Sequence, residues 1–217
     1  MLNDTIKSDF EKNPPSAMLD ATITAQLKEH FEKLRYPVEM VISLDDSSKA
    51  HDMSVLLREI AELSEKISVR NDGNDMRRPS FSVARLGDPV RIRFAGIPMG
   101  HELTSLVMAL LHTGGHPPKV DEELIETIRS LPGPFHFETY VTLSCKNCPD
   151  AVQALNLMAV LNPGISHTMI DGSLFKNEIE QHGIDTVPRI HLNGERFAQG
   201  RKTLEELVAK LVTPTEY

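Results

Sequence analysis

Three absences narrow the class of protein to which this chain of 217 residues can belong. Positive charge is not in excess, because 23 Lys and Arg against 31 Asp and Glu give a net charge of −8, which excludes a strongly basic nucleic-acid-binding protein. No apolar run approaches the roughly 20 residues that cross a bilayer, since even residues 103–111 are interrupted by Thr104 and Ser105. The first 19 residues lack a basic start followed by an apolar core, so we expect no secretory signal.

Cysteine is also scarce, and the two that are present stand close together in Cys145-Lys146-Asn147-Cys148, a C-x-x-C motif. Two cysteines cannot build a stabilising disulfide framework, so we expect a reducing compartment, the cytoplasm. Residues 135–143 before the motif are rich in aromatic and β-branched side chains and predict a strand, whereas residues 150–161 after it predict a helix. The motif therefore lies on a strand-to-helix turn.

This turn favours redox chemistry. It places Cys145 near the N-terminus of the predicted helix, where unpaired N–H groups and the helix dipole stabilise a thiolate, and Lys146 adds a positive charge beside it. We expect Cys145 to have a lowered pKa and to be the nucleophile. Cys148, one helical turn further along, is expected to resolve the mixed disulfide.

A zinc site is the alternative interpretation of the motif. Zinc requires three or four protein ligands, and the sequence has no second cysteine pair. His167, His182 and His191 could complete a ligand set, but their spacing matches no compact pair of histidine ligands. The strand–turn–helix context favours redox over metal.

The remaining elements of the second half follow in a diagnostic order. We predict a strand over residues 165–170, a helix over 172–182, a strand opened by Thr186, Val187 and Pro188, a hairpin turn at Asn193-Gly194, and a last helix from the capping box of Thr203 and Glu206 to residue 211. This is the order of thioredoxins and glutaredoxins, in which a cis-proline lies beside the dithiol. Pro188 stands at that place, so we expect it to be cis, with Thr186 and Val187 next to it; a proline that simply starts a strand is the alternative.

The first half repeats this pattern in a degenerate form. Residues 38–49 align with residues 137–148 at an offset of 99, with Asp46 and Lys49 where the second half has its cysteines. Arg78-Pro79 occupies the place of Val187-Pro188, and no helix corresponding to residues 172–182 is predicted between residues 69 and 79. The fold class is therefore α/β, with two tandem thioredoxin-like folds of which the first is degenerate and lacks one helix.

The domain boundaries follow from these repeats. We expect residues 1–17 to be a disordered extension, residues 18–115 the degenerate repeat, residues 116–212 the redox-active repeat and residues 213–217 a tail.

Three long stretches then identify a family. LSCKNCPDAVQALNLMAVLNP, VPRIHLNGERFAQGR and FAGIPMGHELTSLVMALLHTGGHP resemble the N-terminal domain of the bacterial alkyl hydroperoxide reductase flavoprotein subunit, and the resemblance extends from about Met18 to Lys210. It implies a domain that takes electrons from a flavin-linked dithiol and passes them to a peroxiredoxin by thiol–disulfide exchange. Within the motif, Cys145 is implied as the attacking thiol, Cys148 as the resolving thiol and Pro188 as the cis-proline.

Two departures from the family pattern bear on function. Family members commonly have His in the first spacer position, where this chain has Lys146. The family's flavoprotein continues into FAD- and NAD-binding modules, and no G-x-G-x-x-G occurs here, so FAD and NADH are expected only from a fused or separate flavoprotein module. The chain is either an excised domain or a stand-alone protein.

Other functions remain open at this stage. A glutaredoxin-like fold can carry zinc or an iron–sulfur cluster, and a C-x-x-C can serve a general protein disulfide reductase or isomerase. The sequence has no Trp and hence no W-C-x-x-C, which argues against an ordinary thioredoxin. A scaffold with incidental cysteines is the third alternative.

The proton that thiol–disulfide exchange requires has no obvious carrier in the second repeat. Thioredoxins place a buried Asp six residues before the first Cys, where this chain has Thr139, and Glu138 faces the other side of the strand. Glu102, at the start of an apolar helix in the first repeat, is our candidate, because burial against the second repeat would raise its pKa toward neutrality. Alternatively, Glu102 simply complements a helix dipole.

Overall fold

The structure is a computed structural model, and it describes residues 17–213. Most of the predicted extension and most of the predicted tail lie outside these residues. In the first half the elements are α1 Ala21–Phe31, β1 Val38–Ser43, α2 Ser48–Ala61, β2 Ile67–Arg70, β3 Ser80–Arg85, β4 Ile92–Ala95, a 3₁₀ helix Gly100–Glu102 and α3 Leu103–Thr113. The first repeat thus has the predicted strand–turn–helix followed by an antiparallel pair of strands.

The second half repeats this order. Its elements are α4 Glu122–Ser130, β5 Phe135–Val141, α5 Cys148–Leu161, β6 Ile165–Asp171, α6 Lys176–Gln181, β7 Arg189–Leu192, β8 Glu195–Gln199 and α7 Leu204–Val212. The turn Asn193-Gly194 joins β7 and β8 with positive φ at both residues, and the Thr203–Glu206 capping box begins α7, as the sequence predicts.

All eight strands form one sheet in the order β2-β1-β3-β4-β6-β5-β7-β8. The two repeats meet where β4 pairs with β6 in parallel. Because β1 is antiparallel to β3 and β3 is antiparallel to β4, β1 runs in the same direction as β4, β6 and β5. The turns that follow β1 and β5 therefore lie at the same edge of the sheet, which is the edge that carries ligand sites in open α/β sheets.

One predicted helix is shorter than expected. The prediction over residues 172–182 is wrong in its first turn, because α6 begins only at Lys176. The Asp171 carboxylate accepts a hydrogen bond from the Ser173 N–H at 2.9 Å, and this local turn competes with the helix. In the first repeat, residues 71–79 contain no helix, as expected, and the loop instead lies against β1, where a Cβ on Gly73 would come within 2.6 Å of the Ile42 carbonyl oxygen.

A continuous apolar core runs beneath both repeats. Phe81 and Phe94 stack at 5.1 Å between ring centroids in the first repeat, while Phe137 packs edge-on to Phe197 at 5.6 Å in the second. Between the repeats, α3 packs against α5. Within residues 17–213, no helix is long and apolar enough to span a bilayer.

Candidate active site

The two cysteines lie where β5 gives way to α5. β5 ends at Val141, α5 begins at Cys148, and a disulfide joins Cys145 to Cys148. The turn is held by a hydrogen bond from the Cys145 N–H to the Thr142 carbonyl at 3.0 Å. Cys145 is half-buried and Cys148 is fully buried, so an incoming sulfur can approach only Cys145.

The N-terminus of α5 has no side-chain cap. The N-cap residue Asn147 has φ −97° and ψ −10°, and its side chain accepts no hydrogen bond from the first turn. Pro149 occupies the first turn and has no N–H to donate. The N–H groups that remain are available to an anion, and the anion at hand in the reduced protein is the thiolate. Lys146 is exposed beside it, and the lowered pKa of Cys145 stays a prediction.

The structure brings Val187 and Pro188 to the dithiol. The Val187–Pro188 peptide bond is cis, as the sequence predicts, and Pro188 is buried. The Val187 carbonyl oxygen lies 4.0 Å from the Cys145 sulfur. Thr186 is exposed and donates a hydrogen bond from its hydroxyl to the Asp185 carboxylate at 3.0 Å, so its side chain supports the loop before Pro188.

Glu102 lies at the junction of the 3₁₀ helix and α3 and is completely buried. Its Oε2 accepts a hydrogen bond from the Ser105 hydroxyl at 2.5 Å, while Oε1 has no partner among the described residues. Burial raises the pKa of Glu102 to about 7, although the Ser105 hydrogen bond opposes the rise. Glu102 stands at the N-cap position of α3 and makes no cap hydrogen bond. The buried position agrees with the hypothesis from the sequence, and the role of Glu102 stays a prediction.

The segment that carries Glu102 contacts the dithiol turn. The His101 N–H donates to the Leu143 carbonyl at 3.3 Å, and the 3₁₀ helix packs against α5. Gly100 has φ +60°, and a Cβ there would lie 2.8 Å from the same carbonyl oxygen, so only glycine permits this approach. A residue of the first repeat is thus held next to the chain that leads to Cys145.

Thr139 stands where thioredoxins have their buried acid, and here it belongs to a neutral network. Its hydroxyl lies 2.8 Å from His167 Nε2, and His167 Nδ1 lies 2.7 Å from the Asn156 side-chain oxygen. Burial lowers the pKa of His167 to about 3, so the ring is neutral at pH 7. His167 therefore bonds to core residues rather than to a metal.

The other two histidines considered as zinc ligands lie together on the opposite face of the sheet. The rings of His182 and His191 are 4.9 Å apart, and both lie against Tyr140. Among residues 17–213, no group of three or more His, Cys, Asp and Glu side chains could hold a metal ion.

The matching turn of the first repeat is built differently. Ser47 caps α2 by accepting a hydrogen bond from the Ala50 N–H at 3.1 Å, and the Asp45 carboxylate accepts from the Ser47 N–H at 3.0 Å. Asp46 is exposed, and Lys49 is ion-paired with Asp52 at 3.3 Å. The Arg78–Pro79 bond is cis like its counterpart. The first repeat therefore has the strand–turn–helix and the cis-proline of the site but no cysteines.

Sequence analysis missed an ionic connection between the repeats. Arg77 pairs with Glu178 through two hydrogen bonds of 2.8 Å and with Glu138 through one of 2.7 Å, and the Tyr140 hydroxyl donates to Glu178 at 3.0 Å. Arg77 lowers the pKa of Glu178 against the effect of burial. Sequence separations of 61 and 101 residues leave no local signal for these contacts.

This fold and this site define a class, the thioredoxin-like thiol–disulfide oxidoreductases, here with two repeats and one redox disulfide. A family model described as a thioredoxin domain matches residues 136–213. The crystal structure of the corresponding N-terminal domain of the F subunit of alkylhydroperoxide reductase from Enterococcus faecalis superimposes with a TM-score of 0.83 at 30% identity, covering 89% of this chain and 100% of that one.

Curated relatives agree with the structural match. The F subunit of alkyl hydroperoxide reductase from Pseudomonas aeruginosa is 56% identical over 90% of this chain, and that from Escherichia coli is 54% identical over 92%. The chain belongs to the family of the N-terminal domain of this F subunit. It spans 38% of the length of both relatives.

Proposed function

We propose that this chain passes electrons through Cys145 and Cys148 to a peroxiredoxin, which uses them to reduce peroxides. The single observation that supports this most is a disulfide set on an uncapped helix N-terminus, in a chain 56% identical to part of an alkyl hydroperoxide reductase. The electron donor in this proposal is a flavoprotein module with FAD and NADH, fused or separate. The exchange itself requires no cofactor within this chain, and we assign it to the cytoplasm.

The exchange proceeds in two balanced steps. The Cys145 thiolate attacks one sulfur of the peroxiredoxin disulfide, so a mixed disulfide forms and the other peroxiredoxin sulfur leaves as a thiolate. The Cys148 thiolate then attacks Cys145, which forms the internal disulfide and releases the second peroxiredoxin thiolate. Two electrons pass to the peroxiredoxin, and the donor's dithiol restores the reduced state. The burial of Cys148 supports its assignment to the second step, because it is out of reach of the partner.

Glu102 is the proposed proton carrier for these steps. Cys148 must lose a proton before it attacks, and each leaving thiolate gains one. A buried carboxyl with a pKa of about 7 can be protonated or ionised at working pH, and the unpartnered Oε1 leaves one oxygen available. The Gln153 side chain of α5, a little over one turn from Cys148, contacts Ser105 at 3.5 Å, which connects Glu102 to the helix of the resolving thiol.

Trapping the intermediate tests the proposal. Reduced Cys148→Ser protein, mixed with the disulfide form of a two-cysteine peroxiredoxin, should accumulate a mixed disulfide that is visible by non-reducing electrophoresis and by mass. Cys145→Ser is the matched control and should trap little. More trapping by Cys145→Ser would reverse the assignment of the two sulfurs, and no trapping by either variant would refute this partner.

A further inference from the structure

A cavity of about 300 Å³ opens at the edge of the sheet that carries the dithiol turn. Its polar rim consists of Lys49, Asp52, Asp171 and Ser173, and its apolar lining is Met18, Ile97, Met99, Leu143 and Leu174. Met18 precedes α1, and the other residues lie at or just after the ends of β4, β5 and β6 or in the first turns of α2. Both repeats therefore build this cavity, which we call the seam pocket.

The seam pocket lies within reach of any chain bonded to Cys145. Leu143 lines the pocket and precedes Cys145 by two residues, so their Cα atoms are no more than about 8 Å apart. Met99 lies on the segment that bonds to Leu143 through the His101 N–H. In a mixed disulfide the partner's cysteine is fixed on the Cys145 sulfur, so the residues next to that cysteine in the partner must lie over this edge.

The charged side chains around the seam pocket, Lys49, Asp52 and Asp171, already have polar partners within the protein. Lys49 is bonded to Asp52 at 3.3 Å, and the Asp171 carboxylate accepts a hydrogen bond from the Ser173 N–H at 2.9 Å. An anionic occupant would find Lys49 already ion-paired with Asp52, and any charged occupant would lose hydration against the apolar lining. The volume equals that of about ten water molecules at roughly 30 Å³ each, which is enough for one large apolar side chain.

From this geometry we infer that the seam pocket selects polypeptide disulfides that carry a large apolar residue next to the reactive cysteine. This inference rests on the proposed function in assuming a polypeptide substrate, and it assigns the degenerate first repeat a part in substrate choice. Met99 and Leu174 are the specificity-determining residues, because both are half-buried and line the pocket from different repeats.

Short peptides test the inference independently of any peroxiredoxin. The probes are Leu-Cys-Leu, Gly-Cys-Gly and Glu-Cys-Glu, each joined through a disulfide to 2-nitro-5-thiobenzoate. Reduced Cys145 attacks the peptide sulfur and releases the coloured thiolate, the better leaving group, and Cys148 then releases the peptide thiol. In a single turnover, reduced wild-type protein should react with Leu-Cys-Leu with a second-order rate constant at least about tenfold larger than with the other two peptides.

Variants of the pocket should lose this preference and nothing else. Met99→Gln and Leu174→Gln should bring the Leu-Cys-Leu rate to within about twofold of the Gly-Cys-Gly rate, which itself stays unchanged and so reports an intact dithiol. Met108→Gln is the matched control, since Met108 is also a half-buried methionine but lies outside the pocket, and it should keep the preference.

The outcomes separate this inference from the proposed function. Equal rates for Leu-Cys-Leu and Gly-Cys-Gly in the wild type, or an undiminished preference in both pocket variants, would overturn the inference even if the peroxiredoxin is reduced. A clear preference in a protein that fails to reduce the peroxiredoxin would refute the partner and leave the inference standing. A preference that appears only after residues 1–16 are removed would show that this segment, rather than substrate, fills the pocket.

Discussion

The two repeats differ most in the capping of the helix that follows the first strand of each, α2 in the first repeat and α5 in the second. In the first repeat, Ser47 has extended backbone angles of φ −79° and ψ 156° and its side chain accepts the Ala50 N–H. In the second, Asn147 has φ −97° and ψ −10°, and its side chain caps nothing. Both turns follow a parallel strand at the same sheet edge, and a cis-proline stands in corresponding places in both repeats.

The contrast shows that a cap and a thiolate compete for the same N–H groups. A serine cap stabilises a helix by about 1 kcal/mol, and it does so by using donors that would otherwise stabilise an anion. The first repeat uses these donors for stability, whereas the second leaves them for Cys145. The two repeats share the strand–turn–helix and the cis-proline. The residue at the helix N-terminus determines whether the N–H groups are capped or remain available to a thiolate.

Removing His167 should have the largest effect on stability, because this ring satisfies polar groups beneath the junction of the repeats. His167→Leu leaves the Thr139 hydroxyl and the Asn156 amide buried without their partner, which should cost about 3 kcal/mol of unfolding free energy at pH 7. Urea denaturation measures this. The exposed His101 provides the control, and His101→Gln should change stability by less than about 0.5 kcal/mol.

The same pair of variants gives a pH signature. Burial holds the pKa of His167 at about 3, below its ordinary value of 6.5, so the neutral ring contributes stability that is complete above pH 6.5 and is lost as pH falls toward 3. His167→Leu should lose less stability than wild type between pH 7 and pH 4.5. A variant that loses as much as wild type would show that other groups, such as His112, account for the acid sensitivity.

Arg77 tests whether the repeats depend on each other. Arg77→Gln leaves the carboxylates of Glu138 and Glu178 without their cation in a half-buried site, and we expect a loss of about 2 kcal/mol. Arg70→Gln is the matched control, because Arg70 pairs with Glu39 and Asp72 inside the first repeat and is more exposed; it should cost under about 1 kcal/mol.

A double-mutant cycle sharpens this comparison. The double variant Arg77→Gln/Glu178→Gln should lose less unfolding free energy than the two single variants lose together. The reason is that Arg77→Gln leaves the Glu178 carboxylate without its cation, and Glu178→Gln then removes that unpaired charge. Additive effects would mean that Arg77 does not couple the repeats through Glu178.

The sequence predicts most of the local structure and little of what joins the repeats. Aromatic and β-branched side chains predict β5, Asn193-Gly194 predicts the hairpin, and Thr203 with Glu206 predicts the start of α7, because each signal lies within a few residues of its effect. The C-x-x-C and Pro188 are predictable for the same reason, with the family resemblance added.

Contacts distant in sequence were not predictable in the same way. The pairing of β4 with β6 depends on which strand edges remain free after each repeat has folded, and no residue in either strand specifies it. The Arg77 ion pairs and the seam pocket depend on that pairing in turn. Glu102 differs from these contacts, since an acid at the start of an apolar helix is visible in the sequence and suggests burial as one of two interpretations, the other being a role at the helix dipole.

Glu102→Gln should slow the reduction of peptide disulfides about tenfold at pH 7, since amide nitrogen and oxygen cannot carry the proton. Wild-type rates should change through pH 7, near the pKa of Glu102, and the variant should lose that inflection. Relative to wild type, the variant should gain stability as pH rises from about 4.5 to about 7, because the raised pKa of Glu102 in the folded state makes the wild type lose stability across this window. An unchanged rate and pH profile would reduce Glu102 to a packing residue.

The smallest expected effect on stability comes from substitutions at the N-caps of α2 and α5, which compare the two helix N-termini directly. Ser47→Ala removes the acceptor of the Ala50 N–H and should cost about 1 kcal/mol of unfolding free energy. It should leave the reactivity of Cys145 unchanged, because α2 carries no cysteine. Asn147→Ala is its counterpart in the second repeat and should change stability by less than about 0.5 kcal/mol, since the Asn147 side chain accepts no hydrogen bond from α5. Urea denaturation of both variants, with the rate of Cys145 alkylation as the second readout, makes the comparison. Equal costs for the two substitutions would mean that α5 is capped as α2 is, and the availability of its N–H groups to a thiolate would lose its basis.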